Sequence, residues 1–258
     1  MKKFLLSEFS GAEIEAALQS KAINCAVLVF GSCENHGPHL PLGPDLWVPE
    51  EIAQRIAQTL EGVVVLPGLP FGTSIHYNHY PVAVSLRYQT LIQVAEDMLE
   101  SLIHHGIDRL LLLNGHDGNI PALEIAARNI KARHPEAVMI YVPAWWDITQ
   151  KAPGMDFGDW SGFGHGGECE TSATLAVRPD LVDLSQAIRQ MPEDTIALSG
   201  LQTPIWDIAE ISETGATGDP TRSTMKQGEK ILDFVTNHLV ELITWLNEHN
   251  WNYDRRCR

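Results

Sequence analysis

Between residues 30 and 45 the chain reads F-G-S-C-E-N-H-G-P-H-L-P-L-G-P-D, so Glu34, His36, His39 and Asp45 arrive within a dozen residues. Carboxylate and imidazole together are the ligand set of Zn, Mn or Fe sites. Glu34 and His36 are two apart, a spacing that on a strand end turns both side chains to one side. The glycines and prolines between them and Asp45 give a tight, non-repetitive path that lets Asp45 swing back. The same residues have a purely structural reading. Asp45 then caps a helix that runs from Leu46, with Pro49 in its first turn.

Further clusters repeat this chemistry. The run N-G-H-D-G-N at 114–119 follows the apolar Leu110, Leu111, Leu112 and Leu113. Its glycines allow a sharp strand-to-helix turn that holds His116 at a sheet rim, although an N-G turn capped by Asn119 would look the same. The run G-H-G-G-E-C-E-T-S at 164–172 sets His165, Glu168 and Glu170 at a helix start. They suit metal ligands, a general acid/base pair, or acids favoured there by the helix dipole. The run G-T-S-I-H-Y-N-H-Y-P at 72–81 fits a substrate-pocket wall or a subunit contact. Trp145 and Trp146 either shut out water or pack the core, and G-D-P at 218–220 with Ser223 reads as a turn and cap.

Elements must carry these residues to one place. Hydrophobic periodicity and turn residues predict strands at 24–30, 63–66, 109–113 and 138–142. Helices are expected at 10–20 (opened by a Ser10/Glu13 capping box), 46–60, 85–105 (capped by Ser85), 120–133, 170–177 and 224–247. Residues 67–84 and 147–164 read as loops, the second a lid or an oligomer contact. Residues 179–223 read as irregular with a short hairpin. The alternation implies a single domain over 1–258 with a parallel sheet covered on both faces. Ligands of such sheets bind beyond the carboxyl ends of the strands. Glu34 and His36 follow the first strand, His116 the third, and Trp145 and Trp146 the fourth, so distant residues converge on one rim.

Composition narrows the partners. The 258 residues are 44% hydrophobic and carry 18 Lys and Arg against 33 Asp and Glu, a net charge of −15. No basic face is available for nucleic acid or an anionic membrane. No apolar run approaches the ~20 residues of a membrane span, and the Lys-rich start loses its apolar run too soon for a signal peptide. Cys25, Cys33, Cys169 and Cys257 show no paired spacing, which predicts a reduced, cytoplasmic protein.

Taken together, G-S-x-E-x-H-G-x-H-L-P-L-G-x-D, N-G-H-D-G-N, H-G-G-E-x-E-T-S and G-D-P resemble the creatininase family of metal hydrolases over about residues 26–226. The resemblance implies a three-layer α/β/α fold, two divalent metal ions (Zn, Mn or Fe) per subunit, usually a homohexamer, and hydrolysis of a C–N bond in a cyclic or formylated amide. Some relatives open a cyclic ketone instead. By position, Glu34, Asp45 and His116 would hold one metal. His36 and Asp45 would hold the second, with Asp45 bridging. The family pattern carries a Tyr and a metal-binding Glu directly after N-G-H, where this chain has Asp117 and Gly118. Creatinine is therefore not the expected small-molecule substrate, and Glu170 is the expected replacement ligand. His165 matches the family's catalytic-site histidine, with Glu168 a second candidate acid. Ser74 and His79 lie where the family places substrate contacts, and Asp117, Trp145 and Trp146 are further candidates. A closed structural metal site is the non-enzymatic alternative; the lack of metal-spaced cysteines favours an open one.

Overall fold

The computed structural model describes residues 3–155, 157, 164–192 and 205–253. Four parallel strands lie in the order β2-β1-β3-β4: β1 Cys25–Phe30, β2 Val63–Val65, β3 Arg109–Asn114 and β4 Val138–Val142. Both central strands alternate their side chains between two cores. Cys25, Val27, Val29, Leu111 and Leu113 face one, and Ala26, Leu28, Phe30, Leu110 and Leu112 the other. Such continuous apolar runs are what a strand covered on both faces needs. Each of these leucines is fully buried, and truncating one to alanine costs about 2–5 kcal/mol.

Helices supply the outer layers. The first face is covered by α2 (Pro44–Thr59), α6 (Glu168–Val177) and α7 (Met225–Glu248), and the second by α3 (Tyr88–His104) and α4 (Ile120–Arg133). The short α1 (Gly11–Gln19) opens with the expected box: Glu13 N–H donates to Ser10 Oγ and Ser10 N–H to Glu13 Oε2. A five-residue α5 (Trp145–Thr149) stands where the sequence reading began a loop at 147. The remainder of that loop lies largely outside the described residues, as do residues 193–204 and Cys257. Cys25, Cys33 and Cys169 form no disulfide among the described residues.

Three expectations change. Ser85 does not cap α3; its hydroxyl accepts from Ser74 N–H, and Arg87 occupies the cap position without a side-chain bond. In the region read as a hairpin, the described residues show one antiparallel bridge, Gln190 to Gly218, among 3-10 turns. α2 begins at Pro44 rather than Leu46, which puts Asp45 inside the first turn. Pro49 has no N–H to offer the Asp45 carbonyl four residues back. Gly115 packs there: a Cβ on it would lie 1.9 Å from that carbonyl oxygen. A glycine after β3 is thus what lets the first turn of α2 close on the sheet. Among the described residues no helix is long and apolar enough to cross a membrane.

Candidate metal centre

The sheet reverses its winding between β1 and β3, where a crevice opens at the strand ends. Phe30 pairs with Asn114 in register at that point, so the segments leaving the two strands are neighbours. Glu34, His36, Asp45, His116 and Glu170 meet there, all at most 3% exposed. Asp45 sits between two histidines. Its Oδ1 lies 2.9 Å from His36 Nε2 and its Oδ2 lies 3.1 Å from His116 Nδ1. Each histidine has a second carboxylate beside it: Glu170 Oε1 is 3.6 Å from His36 Nε2, and Glu34 Oε2 is 3.3 Å from His116 Nε2. Ligand atoms of Glu34, Asp45 and His116 lie within 4.8 Å of one another, as do those of His36, Asp45 and Glu170.

Backbone carbonyls set the ring orientations. The Glu34 carbonyl is 3.0 Å from His36 Nδ1, and the Thr73 carbonyl is 3.0 Å from His116 Nε2. Each carbonyl accepts from the N–H on its side and leaves the opposite nitrogen facing Asp45. His165 is arranged alike. Its Nε2–H donates to Asn35 O (2.7 Å), its Nδ1 stands 3.9 Å from Glu34 Oε1, and its ring lies against those of His36 and Tyr77. Below the cluster, Asn114 and Asn119 are fully buried. Asn114 Nδ2 donates to the carbonyls of His116 and Pro143. Asn119 Nδ2 donates to Gly31 O, and its Oδ1 accepts from Thr73 N–H. Asn119 thus ties the loops after β1 and β3 rather than capping α4.

The electrostatics call for cations. Burial pushes the Glu34 carboxyl up to about 7 although the His116 charge pulls the other way. No well-aligned donor meets either Glu34 oxygen. Burial also raises Glu170, partly offset by His36. Burial alone would lower both histidines of the cluster, but the carboxylates outweigh it: His36 is raised well above its ordinary value and His116 to about 9. Asp45 is held well below its ordinary value despite burial, chiefly by His36 and His116. Burial and the His36 charge drive His165 far down, so its ring is neutral. Three buried carboxylates, of which Glu34 has both oxygens unpartnered, set beside imidazole nitrogens with no thiolate among them, fit Zn, Mn or Fe.

A cavity of about 790 Å³ opens from this cluster. His165, Asp117 and Trp146 line it. Trp145, Ser74, His79 and Glu168 are not among its lining residues. Trp145 is 1% exposed in the core beneath α7. Ser74 is buried behind His116, its Oγ 3.4 Å from the ring Nε2. His79 projects outward, its Nδ1 2.9 Å from Asp207 Oδ1. Glu168 Oε1 accepts from Gln227 Nε2 at the foot of α7, and its Oε2 is 3.5 Å from Arg222 Nε. Of the run 72–81 read as a pocket wall, Ile75, His76 and Tyr77 line the cavity, whereas the wall residues from 206–208 were passed over. His76 stacks on His116 at 5.8 Å, and Trp206, Asp207 and Ile208 come from a stretch without periodicity.

Comparison with known proteins bears on family and fold. A family model described as creatinine amidohydrolase matches residues 7–243. The chain is 27% identical over 263 residues to a creatinine amidohydrolase of Pseudomonas putida, covering 94% of this chain and 96% of the relative. It is 28% identical over 260 residues to a mycofactocin precursor peptide peptidase of Mycolicibacterium smegmatis, with 95% and 93% covered. It is 26% identical over 244 residues to a 3-dehydro-scyllo-inosose hydrolase of Thermotoga maritima, with 86% and 78% covered. A crystal structure of creatininase superposes with a TM-score of 0.82 at 26% identity, covering 94% of this chain and 97% of that one. Similar creatininase structures are described as manganese and zinc forms.

Proposed function

The chain belongs to the creatininase family of hydrolases, and from that premise we propose that it hydrolyses a C–N bond of a cyclic amide or formamide at a centre for two divalent ions. The observation that carries this reading is Asp45, whose two oxygens face two different histidines, each with its own second carboxylate. Glu34, Asp45 and His116 would hold one ion, and His36, Asp45 and Glu170 the other. Glu170 thereby takes the place of the family's missing glutamate. Bound ions of this kind supply Lewis acidity and an activated water. The chain itself supplies placement and proton transfer. His165 Nδ1 carries a lone pair towards Glu34 and the cavity while its Nε2–H is committed to Asn35 O, so the ring accepts a proton at Nδ1 and returns it to the leaving nitrogen. Glu168, held by Gln227 and Arg222, positions the start of α6 instead of donating that proton. Tyr77 and Trp146 narrow the water access.

The same residues would serve ring opening of a cyclic ketone, a reading favoured by the Thermotoga maritima relative. Purified protein should carry close to two equivalents of Zn, Mn or Fe by elemental analysis. It should turn over members of a panel of lactams, formamides, peptides and keto-cyclitols only when the metal is present. Turnover that survives exhaustive chelation would defeat the proposal, and the member turned over separates the two readings. Exposed Phe71, Ile75, Val82 and Val84 beside the cavity loop support a homo-oligomer, a hexamer by resemblance, which a sizing column tests.

A pH prediction follows from the charges. Glu34 and His116 have folded pKa values of about 7 and about 9, above their ordinary 4.5 and 6.5. Each therefore adds stability that is complete below its ordinary value and lost as pH rises through its folded one. His39 and His76, held near 4 mainly by burial, act in the opposite sense, but only below their ordinary 6.5. Between pH 7 and 9 the ion-free chain should lose stability, while ions that replace the protons bind more tightly. The gap in Tm between manganese-loaded and EDTA-treated protein should widen across that window. A gap that stays level or narrows would contradict the assignment.

A further inference from the structure

We infer that the substrate carries a positively charged group, an ammonium or amidinium, seated against Asp117 and Asp147 while its scissile bond lies at the metal cluster. The inference rests on the hydrolase reading and deepens it. The cavity floor holds Glu34, Asp45 and Glu170, whose three negative charges two divalent ions would more than balance. Farther out, Asp117, Asp147 and Asp207 also line the cavity, and none of its described lining residues is Lys or Arg.

Of these outer carboxylates, Asp207 is engaged by His79 and caps its own 3-10 turn. Asp147 accepts one bond, from Gln150 Nε2 at 3.2 Å. Its carboxyl is raised by burial and by the charge of Asp117, so the two acids act on each other with no cation between them. The Asp117 carboxylate accepts no hydrogen bond and forms no ion pair among the described residues, its backbone carbonyl alone taking the Ile120 N–H. The unpartnered Glu34 oxygens, fully buried, lie at the metal end of the same cavity. Tyr77, Trp146 and Trp206 line the same cavity, and aromatic faces favour cations over anions. An anionic group at the rim would meet two like charges and no counter-charge.

Three alkyl hydroxamates of equal length, ending in ammonium, methyl or carboxylate, test this by calorimetry on the metal-loaded protein. The ammonium probe should bind roughly tenfold more tightly than the methyl probe, as expected of two partly exposed carboxylates, and the carboxylate probe most weakly. Raising salt to about 0.5 M should shrink the spread. Asp117→Asn with Asp147→Asn should bring all three within about twofold, with metal content and melting temperature as folding controls. Equal binding of the three tails, or a preference that persists in the double variant, would overturn the charged-substrate inference alone. Binding of none of them to protein that carries its metal would bring down the hydrolase reading and this inference together.

Discussion

Alanine in place of Asp45 should strip both ions at once and lower turnover by about 10⁴-fold or more, the scale expected when Lewis acidity and the activated water vanish together. Asp45 is common to the Glu34–Asp45–His116 and His36–Asp45–Glu170 groups, which share no other residue. Its loss also leaves His36 and His116 buried without the oxygens that lie 2.9 and 3.1 Å from them. Each ring then keeps only its second carboxylate, Glu170 beside His36 and Glu34 beside His116, and the cluster loses the anion that joins its two halves. Ser32, whose hydroxyl donates to Asp45 Oδ2 at 2.6 Å, loses its acceptor too. Elemental analysis of the purified variant reads the result directly, and circular dichroism shows whether the fold persists. Glu170→Gln serves as the comparison and should cost one ion rather than two. A folded Asp45→Ala protein that still holds two equivalents would refute the bridging role.

The contrast between ligands and walls explains what the sequence revealed. Glu34, His36 and His116 were legible because strand ends are legible: an apolar run stops, chemistry-bearing residues follow, and the parallel sheet brings the ends of β1 and β3 side by side. Asp45 needed the further fact that Pro44 starts α2 early enough to turn the carboxylate inward. The cavity walls were legible only in part, through the mixed run at 72–81 that holds Ile75, His76 and Tyr77. His76 sits in a mixed loop, and Trp206 and Asp207 in a stretch with no period, so their positions depend on a tertiary path that local pattern does not encode. The misassigned residues share a cause. Ser85 carried a good capping side chain, but Ser74 N–H is the donor that its hydroxyl meets. Trp145 and Trp146 are adjacent, yet the helical turn of α5 sends the first into the core and the second to the cavity. Residue type named the chemistry at each position without naming the neighbour that would use it.

Gly118 is where that difference has its largest consequence. Restoring the family's acid by Gly118→Glu should reduce metal content and lower activity by about 10²-fold or more, since a displacement of ~1 Å in a catalytic group is enough for such a loss. The space a side chain would need is already filled. A Cβ at 118 would lie 2.2 Å from the Thr73 carbonyl oxygen, 2.5 Å from His116 Nε2 and 2.9 Å from the His76 ring. The first contact is backbone, held in place because Thr73 donates from its hydroxyl to the Gly118 carbonyl and from its N–H to Asn119 Oδ1. The second is the ring that Thr73 O orients towards Asp45. Even Gly118→Ala must push one of these aside, at about 1–3 kcal/mol of overpacking, or a Tm lower by roughly 2–10 °C for a chain of this size. The ion held by His116 should be the first lost, because that imidazole is the nearest movable group. In the proposed reading the family's glutamate gives way to a rebuilt corner, in which Thr73 and His76 fill the space a side chain at 118 would need and Glu170 lies 3.6 Å from His36. A Gly118→Glu protein that melts like the parent and binds its metals more tightly would show that the corner can still accept the older ligand, and would remove the need for Glu170.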